Sequence, residues 1–231
     1  MLRKTLFLIV LTAFLRTDLK SQNQLSMVAG YNRSKLYEKG NTDNYRYGPP
    51  EFESKPAYFL SVSYAKKRNH LIHWETSVDI TSKFVSVNSQ SGGKTSSYIN
   101  DCDYKLYYSN LSYCPVIELG KKIKFSFLAG PSAGILFSSK RTGTGAYSNL
   151  VLEPSLTVYS DEPLRGDAND DIAIWTVDIK AGVRIEYPLS EKAGIVIESR
   201  YSQGINNISK ISNFEFACKN YSVGTGLSFK L

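Results

Sequence analysis

The sequence predicts an all-β protein, an eight-stranded antiparallel up-and-down β-barrel, and three observations lead to this fold class. Eight segments alternate apolar and polar residues, and no stretch after the leader shows the 3.6-residue period of a helix. The connections between them are alternately short and long, as in a meander whose two ends face different surroundings. The 231 residues show no change of composition that would mark a second domain.

The leader, residues 1–21, has the composition of an export signal. Arg3 and Lys4 precede an apolar run, 5–15, that is long enough for a signal and too short to span a bilayer. We predict cleavage near residue 21, which leaves residues 22–231 as the barrel domain. Part of the formal charge of +7 belongs to the leader, and the remaining basic residues are scattered, which argues against a nucleic-acid partner.

The eight predicted strands follow the leader in order and leave seven connections. The strands cover residues 24–36, 57–66, 70–82, 102–119, 122–138, 172–187, 191–203 and 215–231. Short turns are predicted at 66–69, 119–122 and 188–190. Long loops rich in Gly, Ser, Asn and Asp are predicted at 37–56, 83–101, 139–171 and 204–214.

The stretch WTVDIKAGVRIEY, residues 175–187, shows the alternation most clearly. Its odd positions, from Trp175 to Tyr187, are apolar or aromatic, and its even positions are charged, polar or glycine. The same period of two occurs in residues 193–202, 221–231 and 70–80. Each of these segments therefore has one apolar and one polar face.

The fourth predicted strand departs from a simple alternation. Its apolar residues occupy even positions up to Tyr108 and odd positions from Leu111 onward. A β-bulge inserts one residue and reverses the facing of everything after it. We therefore predict a bulge near Ser109–Asn110.

Two arrangements fit a period of two, because the apolar face can fill a soluble barrel or can contact lipid around a polar lumen. Three features favour lipid: the export signal, the alternating lengths of the connections, and aromatic residues at both ends of the apolar row in 175–187. That row spans roughly 30 Å at a tilt of about 40°, close to the outward apolar band of a membrane barrel. The fold class is therefore an eight-stranded transmembrane β-barrel with short periplasmic turns and long outer loops.

The polar face has the composition of a narrow lumen, since it combines Gly and Ser with charges of both signs. With Pro188-Leu189-Ser190 as the turn, the hairpin 175–203 places three oppositely charged pairs in register. Those pairs are Lys180 with Glu198, Asp178 with Arg200, and Glu186 with Lys192. We expect a lumenal charge network made of Asp178, Lys180, Arg184, Glu186, Glu198 and Arg200.

Several stretches resemble the outer-membrane β-barrel domain family of porin-like, PorT-type proteins of Gram-negative bacteria. In SNLSYCPVIELGKKIKFSFLAGPSAGIL, residues 109–136, the matching motifs are Tyr113-Cys114-Pro115 and Ala129-Gly130-Pro131 followed by Gly134. AGYNRS (29–34) is similar to the family's first strand, and SVGTGLSFKL (222–231) to its assembly signal, with departures at Cys114 and Leu231. The resemblance implies an outer-membrane location and handling by the barrel-assembly machinery, and it brings no catalytic residues.

Few residues are candidates for chemistry, and each has a plainer interpretation. His73 shares a polar face with Glu75 and Asp79, but His70 falls in a predicted periplasmic turn, so no nucleophile and base are brought together. Arg165-Gly166-Asp167 matches an adhesion tripeptide, a match short enough to arise by chance. The acidic run of Asp167, Asn169, Asp170 and Asp171 lacks the spacing of a complete Ca²⁺ loop.

The three cysteines, Cys102, Cys114 and Cys218, form neither a disulfide framework nor a zinc pattern. Cys102 and Cys218 fall near the outer ends of the fourth and eighth predicted strands. These strands lie across the barrel from one another, which disfavours a direct disulfide.

The sequence therefore predicts a non-enzymatic outer-membrane barrel, with no cofactor and no metal, that acts as a membrane anchor or as a surface-recognition module through loops 37–56, 83–101 and 139–171. The expected partners are outer-membrane lipid, the assembly machinery and an extracellular or envelope protein. Three alternatives stay open at this point: a soluble exported barrel that binds an apolar ligand, a lipid-modifying outer-membrane enzyme, and a narrow channel.

Overall fold

A computed structural model of the chain describes residues 23–38, 51–66, 71–92, 96–120, 122–149, 160–166, 172–208 and 216–231. These residues form antiparallel β-strands joined by turns. The strands are β1 (Asn23–Glu38), β2 (Glu51–Lys66), β3 (Ile72–Gly92), β4 (Ser96–Leu119), β5 (Lys124–Asn149), β6 (Ser160–Gly166), β7 (Trp175–Pro188), β8 (Ala193–Gly204) and β9 (Phe216–Lys230). The predicted leader, 1–21, lies outside the described residues.

The barrel closes through antiparallel pairs all the way round. The sheet has the order β4-β3-β2-β1-β9-β8-β7-β5-β6, and an additional pairing of β4 with β5 closes it. Within the described residues β6 pairs with β5 alone, beside the outer half of that strand, and takes no part in the closure. The eight-stranded barrel is thus confirmed, and the ninth strand lies inside the stretch 139–171 that we expected to be a loop.

The two ends of the barrel differ. At the inner end, where the short turns lie, the Leu231 N–H donates to the carbonyl oxygen of Asn23 at 2.8 Å. The β4–β5 turn lies at the same end and contains Gly120 with φ of 96°, a left-handed conformation that disfavours residues with a Cβ. A Cβ built there would lie 2.1 Å from the carbonyl oxygen of Ile123. The strand ends that flank the predicted long loops, such as Glu38 of β1 and Glu51 of β2, lie at the opposite, outer end.

Alternate residues of each strand face the lumen and the outside, with the apolar set outside in the membrane-spanning part. Ile179 is 57 % exposed, whereas its neighbour Lys180 is 5 % exposed. Val183 and Tyr187 are exposed in the same way, while Asp178 and Arg184 are buried. The predicted orientation of residues 175–187 is confirmed. The described part of the chain contains no helix of the length and apolarity that crossing a membrane would require.

A band of aromatic side chains, which we call the outer girdle, surrounds the outside wall of the barrel towards its outer end. Neighbouring members contact one another, as Tyr31 does Tyr58 with ring centroids 6.4 Å apart, and Tyr201 does Tyr221 at 5.0 Å. Such belts lie at the depth of the lipid headgroups. The outer girdle consists of Tyr31, Tyr58, Phe84, Tyr107, Phe137, Trp175, Tyr201 and Tyr221.

Strand lengths are very uneven around the barrel. The strands β3, β4 and β5 have 21, 24 and 26 residues, whereas β7, β8 and β9 have 14, 12 and 15. A membrane crossing needs only about 9–11 residues. The long strands therefore continue past the girdle as what we call the outward sheet, and much of the predicted loop 83–101 is strand. The outward sheet comprises residues 51–55, 86–92, 96–105, 139–149 and 160–166.

The β7–β8 register differs from our prediction. Arg184 lies opposite Glu198 and Gly182 opposite Arg200, so the predicted pairs of Lys180 with Glu198 and Asp178 with Arg200 are wrong. The cause is a turn longer than the predicted one, because the last pair of the ladder before the turn is Pro188 with Gly194.

Ser190 stabilises this longer turn. Its hydroxyl accepts hydrogen bonds from the backbone N–H groups of Lys192 and Ala193 at 3.3 and 3.0 Å. Lys192 is exposed within the turn and is not a cross-strand partner of Glu186, so the third predicted pair is wrong as well.

The predicted bulge at Ser109–Asn110 is also wrong. Even-numbered residues of β4 face inward from Cys102 to Val116 without interruption. The bulge lies in β5, because Tyr107 pairs with Ser138 and Tyr108 with Leu136, which leaves Phe137 as the extra residue. The apolar residues of β4 change parity because the interior itself changes from polar to apolar at this level.

The motifs behind the family resemblance meet at the β4–β5 seam. The ladder between these strands is interrupted between the pairs Ser112–Ser132 and Val116–Leu128. That stretch contains Pro115 and Pro131, which have no N–H to donate. Within it Gly130 lets the two backbones approach, since a Cβ there would lie 2.5 Å from the Tyr113 carbonyl oxygen.

Candidate functional site: the filled lumen and the outward sheet

The membrane-spanning part of the lumen contains a connected set of buried charges, which we call the lumenal ion network. Its members come from β3, β7 and β8, so they approach one another across the barrel rather than only between paired strands. Three are basic and three are acidic, which leaves the set electrically balanced. The members are Glu75, Asp79, Lys180, Arg184, Glu198 and Arg200.

Arg184 forms the inner half of the network. Its two terminal nitrogens bind both carboxylate oxygens of Glu75, at 2.5 and 2.8 Å, and its Nε donates to Glu198 Oε2 at 2.9 Å. A two-pronged arrangement of this kind fits the planar guanidinium and gives strong charge-assisted hydrogen bonds. Arg184 thereby joins β3 to β8 through the middle of the barrel.

Arg200 continues the network outward. Its Nε donates to Glu198, its Nη1 donates to Asp79 Oδ1 at 2.9 Å, and its Nη2 donates to Ser61 Oγ at 2.9 Å. The guanidinium also lies 5.5 Å from the centroid of the Phe59 ring, within the range of a cation–π contact. Glu198 is thus shared between two arginines, and Arg200 connects its own strand, β8, to β3 through Asp79 and to β2 through Ser61.

Lys180 completes the outer half of the network. Its Nζ donates to Asp79 Oδ2 at 2.8 Å and to the hydroxyls of Ser77 and Ser112, both at 3.1 Å. An ammonium group has three hydrogens, and these three acceptors use all of them. All three of its hydrogen-bond donors are therefore satisfied inside the lumen.

The two remaining residues of the predicted set lie beside this network. Glu186 accepts hydrogen bonds from Gln24 Nε2 at 2.8 Å and Ser228 Oγ at 2.9 Å, near the inner end. Asp178 accepts one from Thr176 Oγ1 at 3.2 Å. Both carboxylates are buried in the lumen, as predicted.

Sequence reasoning identified six lumenal charges but missed Glu75 and Asp79 as their partners. Both residues were visible on the polar face of β3, together with His73. Period-two patterning shows that a residue faces the lumen, but it does not show which strand lies across the barrel from it. His73 is itself buried in the lumen at the inner end of β3.

The interior leaves little free space in the membrane-spanning part. A cavity of about 40 Å³ lies beside the network, lined by residues that include Asp79, Lys83, Asp178 and Lys180. That volume corresponds to a few water molecules. Two small apolar clusters, which include Val28 with Phe59 and Val116 with Leu128, fill neighbouring parts of the lumen.

At the level of the outer girdle the interior becomes apolar. Two neighbouring groups of buried side chains close the lumen there and extend between the strands of the outward sheet. Lys83 is buried at the boundary, with its Nζ 4.6 Å from the centroid of the Tyr108 ring. These groups, together called the outer core, are Leu36, Val85, Cys102, Tyr104, Leu106, Tyr108, Leu136, Ile172, Ile208 and Cys218.

Where its side chains are described, the outside face of the outward sheet is polar and includes a cleft of about 770 Å³. At one side of the cleft Lys55 Nζ binds both carboxylate oxygens of Asp103, at 2.6 and 2.7 Å, and Ser86 Oγ donates to the same carboxylate. The cleft is lined by Glu51, Phe52, Glu53, Lys55, Ser86, Asn88, Asp103, Thr142 and Gly143.

Asp103 lies beyond the outer girdle in the outward sheet, and its surroundings change the pKa of its carboxyl group. Partial burial on its own would raise the pKa of this carboxyl group. The hydrogen bonds from Lys55 and Ser86 together with the positive charges of Lys55 and Lys105 outweigh burial, so the pKa lies below its usual value. Asp103 is therefore a carboxylate at neutral pH.

The other candidates do not form a site within the described residues. Cys102, Cys114 and Cys218 are buried thiols without a disulfide among them. The described part of the chain holds no cluster of His, Cys, Asp and Glu that could bind a metal ion. His70 and Asp167 lie outside the described residues, as do Asn169, Asp170 and Asp171, so the adhesion-like tripeptide and the acidic run are not placed.

The comparison with known proteins identifies the family. Residues 13–210 match the family described as the outer membrane protein beta-barrel domain. No protein of curated function matches the sequence.

Solved structures match over most of the chain at low sequence identity. Ail, the attachment invasion locus protein of Yersinia pestis, is 15 % identical, with 90 % of this chain and 99 % of that one covered and a TM-score of 0.39. OprG of Pseudomonas aeruginosa is 12 % identical, covering 92 % and 98 %, with a TM-score of 0.47. Neisserial surface protein A is 11 % identical, covering 90 % and 97 %, with a TM-score of 0.42.

These likenesses describe the fold alone, whereas the family match extends over most of the sequence. It agrees with the lipid-facing apolar band and the closed sheet described above, because a sheet can cross a membrane only when it has no open edge. The chain therefore belongs to the outer membrane protein β-barrel domain family and lies in the outer membrane.

Proposed function

We propose that this barrel is a non-enzymatic membrane anchor that presents the outward sheet as a surface-recognition module for an extracellular or envelope protein. The observation that carries the proposal is the length of β3, β4 and β5, which at 21 to 26 residues are far longer than a membrane crossing needs. The ladder of β3 with β4 continues to the pair Gly92–Ser97, and that of β4 with β5 to Ser96–Asn149.

The outward sheet is held rigidly on the barrel, which favours a recognition role. Its inner face is anchored by the outer core, where Leu106 and Leu136 are each 1 % exposed. A surface held in one conformation loses less conformational entropy when it binds a partner. A mobile polar loop would not have this advantage.

The chemistry of the cleft suits a polar partner. Glu51 and Glu53 on β2 contribute negative charge, Lys55 contributes positive charge, and Ser86 and Asn88 on β3 add neutral hydrogen-bonding groups. Charges of both signs around a concave surface favour specificity and orientation over apolar affinity. We therefore expect a folded protein surface with complementary charges rather than an apolar ligand.

The filled lumen argues against the other functions that the sequence left open. The lumenal ion network and the outer core together leave a cavity of only about 40 Å³ at the level of Lys180, so conduction of solutes would require the network to break. For an enzyme, His73 would need access to substrate, and it is only 3 % exposed. The polar lumen likewise offers no chamber for an apolar ligand.

Site-specific photo-crosslinking in the native envelope tests the recognition role. A photoreactive residue at Asn88, in the cleft, should give one or a few discrete protein adducts identifiable by mass spectrometry. The matched control is the same residue at Ile205, which is exposed at the outer end of β8 on the short-stranded side. Equal adduct patterns at both positions, or none at Asn88, would count against recognition through the outward sheet.

A further inference from the structure

An unusual group of like charges lies on the outside of the barrel, on the side away from the outward sheet. In the β1–β9 register Lys35 is directly opposite Lys219, and Arg33, two residues earlier on the same face, is opposite Tyr221. Directly opposed residues have Cα atoms only about 4.5–5.5 Å apart. Like charges in such positions repel and destabilise the sheet. We call Arg33, Lys35 and Lys219 the outer basic cluster.

Within the described residues, no acidic side chain forms an ion pair with the cluster. Other lysines outside the lumenal ion network do have acidic partners. Lys55 binds Asp103 at 2.6 Å in the outward sheet, and Lys124 binds Glu118 at 3.1 Å near the inner end. Like charges that have no neutralising carboxylate among the described residues make this part of the surface suited to binding an anion.

The depth of the cluster indicates where that charge lies. On the exposed face of β1, Arg33 is the next residue after Tyr31 in the direction of the outer end. The cross-strand partner of Arg33 is Tyr221, which belongs to the outer girdle, as Tyr31 does. Below them the exposed residues are apolar, as with Met27 and Val223. Aromatic girdles mark the headgroup level, so the cations project into the headgroup layer just beyond the acyl chains.

The cluster is also held in place by neighbouring side chains. Lys219 Nζ lies 4.7 Å from the centroid of the Tyr37 ring. The Tyr37 hydroxyl in turn donates to the carbonyl oxygen of Gly204 at 2.8 Å and accepts from Gln203 Nε2 at 3.3 Å. The position of this ammonium group is therefore fixed by β1 and by the end of β8, which prepares it to meet an anion.

We propose that Arg33, Lys35 and Lys219 bind the phosphate of a phosphorylated glycolipid of the outer leaflet. A phosphomonoester carries about −1.5 to −2 charges at neutral pH, which matches a group of two lysines and one arginine. Arginine can bind phosphate oxygens with two parallel hydrogen bonds, while each lysine adds a point charge. The acyl chains of the same molecule would lie along the apolar band below, against Met27 and Val223.

The location favours a lipid over a soluble anion. The three side chains project sideways from the barrel wall, directly above lipid-facing residues, and not into the lumen or the cleft. A membrane lipid is held at this depth by its own acyl chains, so its phosphate is present at high local concentration. The proposal does not depend on the recognition role of the outward sheet, because it concerns β1 and β9.

Native mass spectrometry of the purified barrel in detergent tests the proposal. The variant carries Arg33→Gln, Lys35→Gln and Lys219→Gln, and the probes are bisphosphorylated lipid A and the same lipid without phosphate. We expect the variant to bind the phosphorylated lipid about tenfold to a hundredfold more weakly than the wild-type chain. The dephosphorylated lipid should bind both proteins equally weakly.

A matched control removes the same charge from the other end of the barrel. Lys122, Lys192 and Lys230 are exposed at the inner end, and their triple replacement by Gln should leave binding of the phosphorylated lipid unchanged. A heat-modifiability gel verifies that both variants are folded.

Three results would overturn the proposal. The first is equal binding of lipid with and without phosphate by the wild-type chain. The second is an equal loss of affinity in the inner-end control, which would reduce the effect to net charge. The third is displacement of the lipid by inorganic phosphate at concentrations equal to those of the lipid, which would indicate a site for a soluble anion.

Discussion

The interior of this barrel differs on the two sides of the outer girdle. In the membrane-spanning part, Arg184 and Glu198 are among the charges buried inside, and Val183 and Ile197 are exposed on the outside. In the outward sheet the order is reversed, since Tyr104 is buried and Lys105, its neighbour on β4, is exposed. The same strands thus change from polar-inside to apolar-inside within a few residues.

The difference teaches that the surrounding medium decides which face of a strand is apolar. Lipid outside the spanning part favours apolar residues there, and polar groups are then confined to the lumen, where each needs a partner. Water surrounds the outward sheet, so the ordinary hydrophobic effect selects an apolar interior. The change of parity in β4 at Tyr108 marks the level at which one medium replaces the other.

The largest expected effect comes from breaking the lumenal ion network. Glu198→Ala removes the carboxylate shared by Arg184 and Arg200 and leaves both guanidinium groups short of a buried partner. We expect a loss of about 3–5 kcal/mol in the free energy of unfolding. Urea unfolding in micelles, followed by tryptophan fluorescence, measures it. Glu191→Ala, in the exposed β7–β8 turn, is the control, and similar losses for the two variants would refute a stabilising network.

The outer core provides the second test. Leu106→Ala creates a cavity in the outer core, against which the outward sheet packs, and we expect a local loss of about 2–5 kcal/mol in stability. Hydrogen exchange should report faster opening of amides in 86–105 and little change in β7 and β8. Lys105→Ala, at the exposed residue next to Leu106 on β4, is the control. Equal exchange in both variants would show that the outward sheet does not depend on this core.

The third prediction concerns the lipid-facing side. Val183→Arg places a charge on the exposed face in the middle of β7, and we expect it to destabilise the barrel by about 2–4 kcal/mol. Ser228→Asn, on the lumenal face, should be milder, because an amide can still donate to Glu186 as the hydroxyl does at 2.9 Å. Folding yield into liposomes compares the two, and equal tolerance would contradict the assigned facing.

The smallest effect is expected for the exposed ion pair of the cleft. Lys55→Ala removes the partner of Asp103, but the two side chains are 40 % and 38 % exposed, so we expect at most about 1 kcal/mol. The lowered pKa of Asp103 means that its contribution to stability is present at neutral pH and disappears as the pH falls through that lowered value. Carboxyl NMR titration should show a higher pKa in the variant, and an unchanged pKa would exclude Lys55 as its cause.

The membrane-spanning pattern could be predicted from sequence because it is local. The facing of Ile179 and Lys180 follows from their positions in a period-two segment, and the lipid was inferred from the leader, the connections and the aromatic ends. The same local logic failed in β4, where Tyr104, Leu106 and Tyr108 were assumed to share the lipid-facing side with Leu111. Period-two reasoning holds only while the medium outside the strand stays the same.

Register was less predictable than facing, since it depends on turn geometry. The hairpin of β7 and β8 was assigned a three-residue turn, whereas Ser190 stabilises a longer one that shifts every pair. A shift by an even number of residues keeps all side chains on their faces. The lumenal assignment of Lys180 and Arg200 therefore survived a register that was wrong.

The sequence by itself determined the fold class, the lumenal and lipid-facing sides of the spanning strands, and the identity of most buried charges, because a period of two and the composition of each face are properties of single strands. Only the tertiary structure decided which charges bind one another, since Glu75 and Asp79 meet Arg184 and Lys180 across the lumen and not along a ladder. It also decided that Lys35 and Lys219 face each other at the headgroup level. Both facts depend on closure of the sheet, which brings together residues more than a hundred positions apart in the chain.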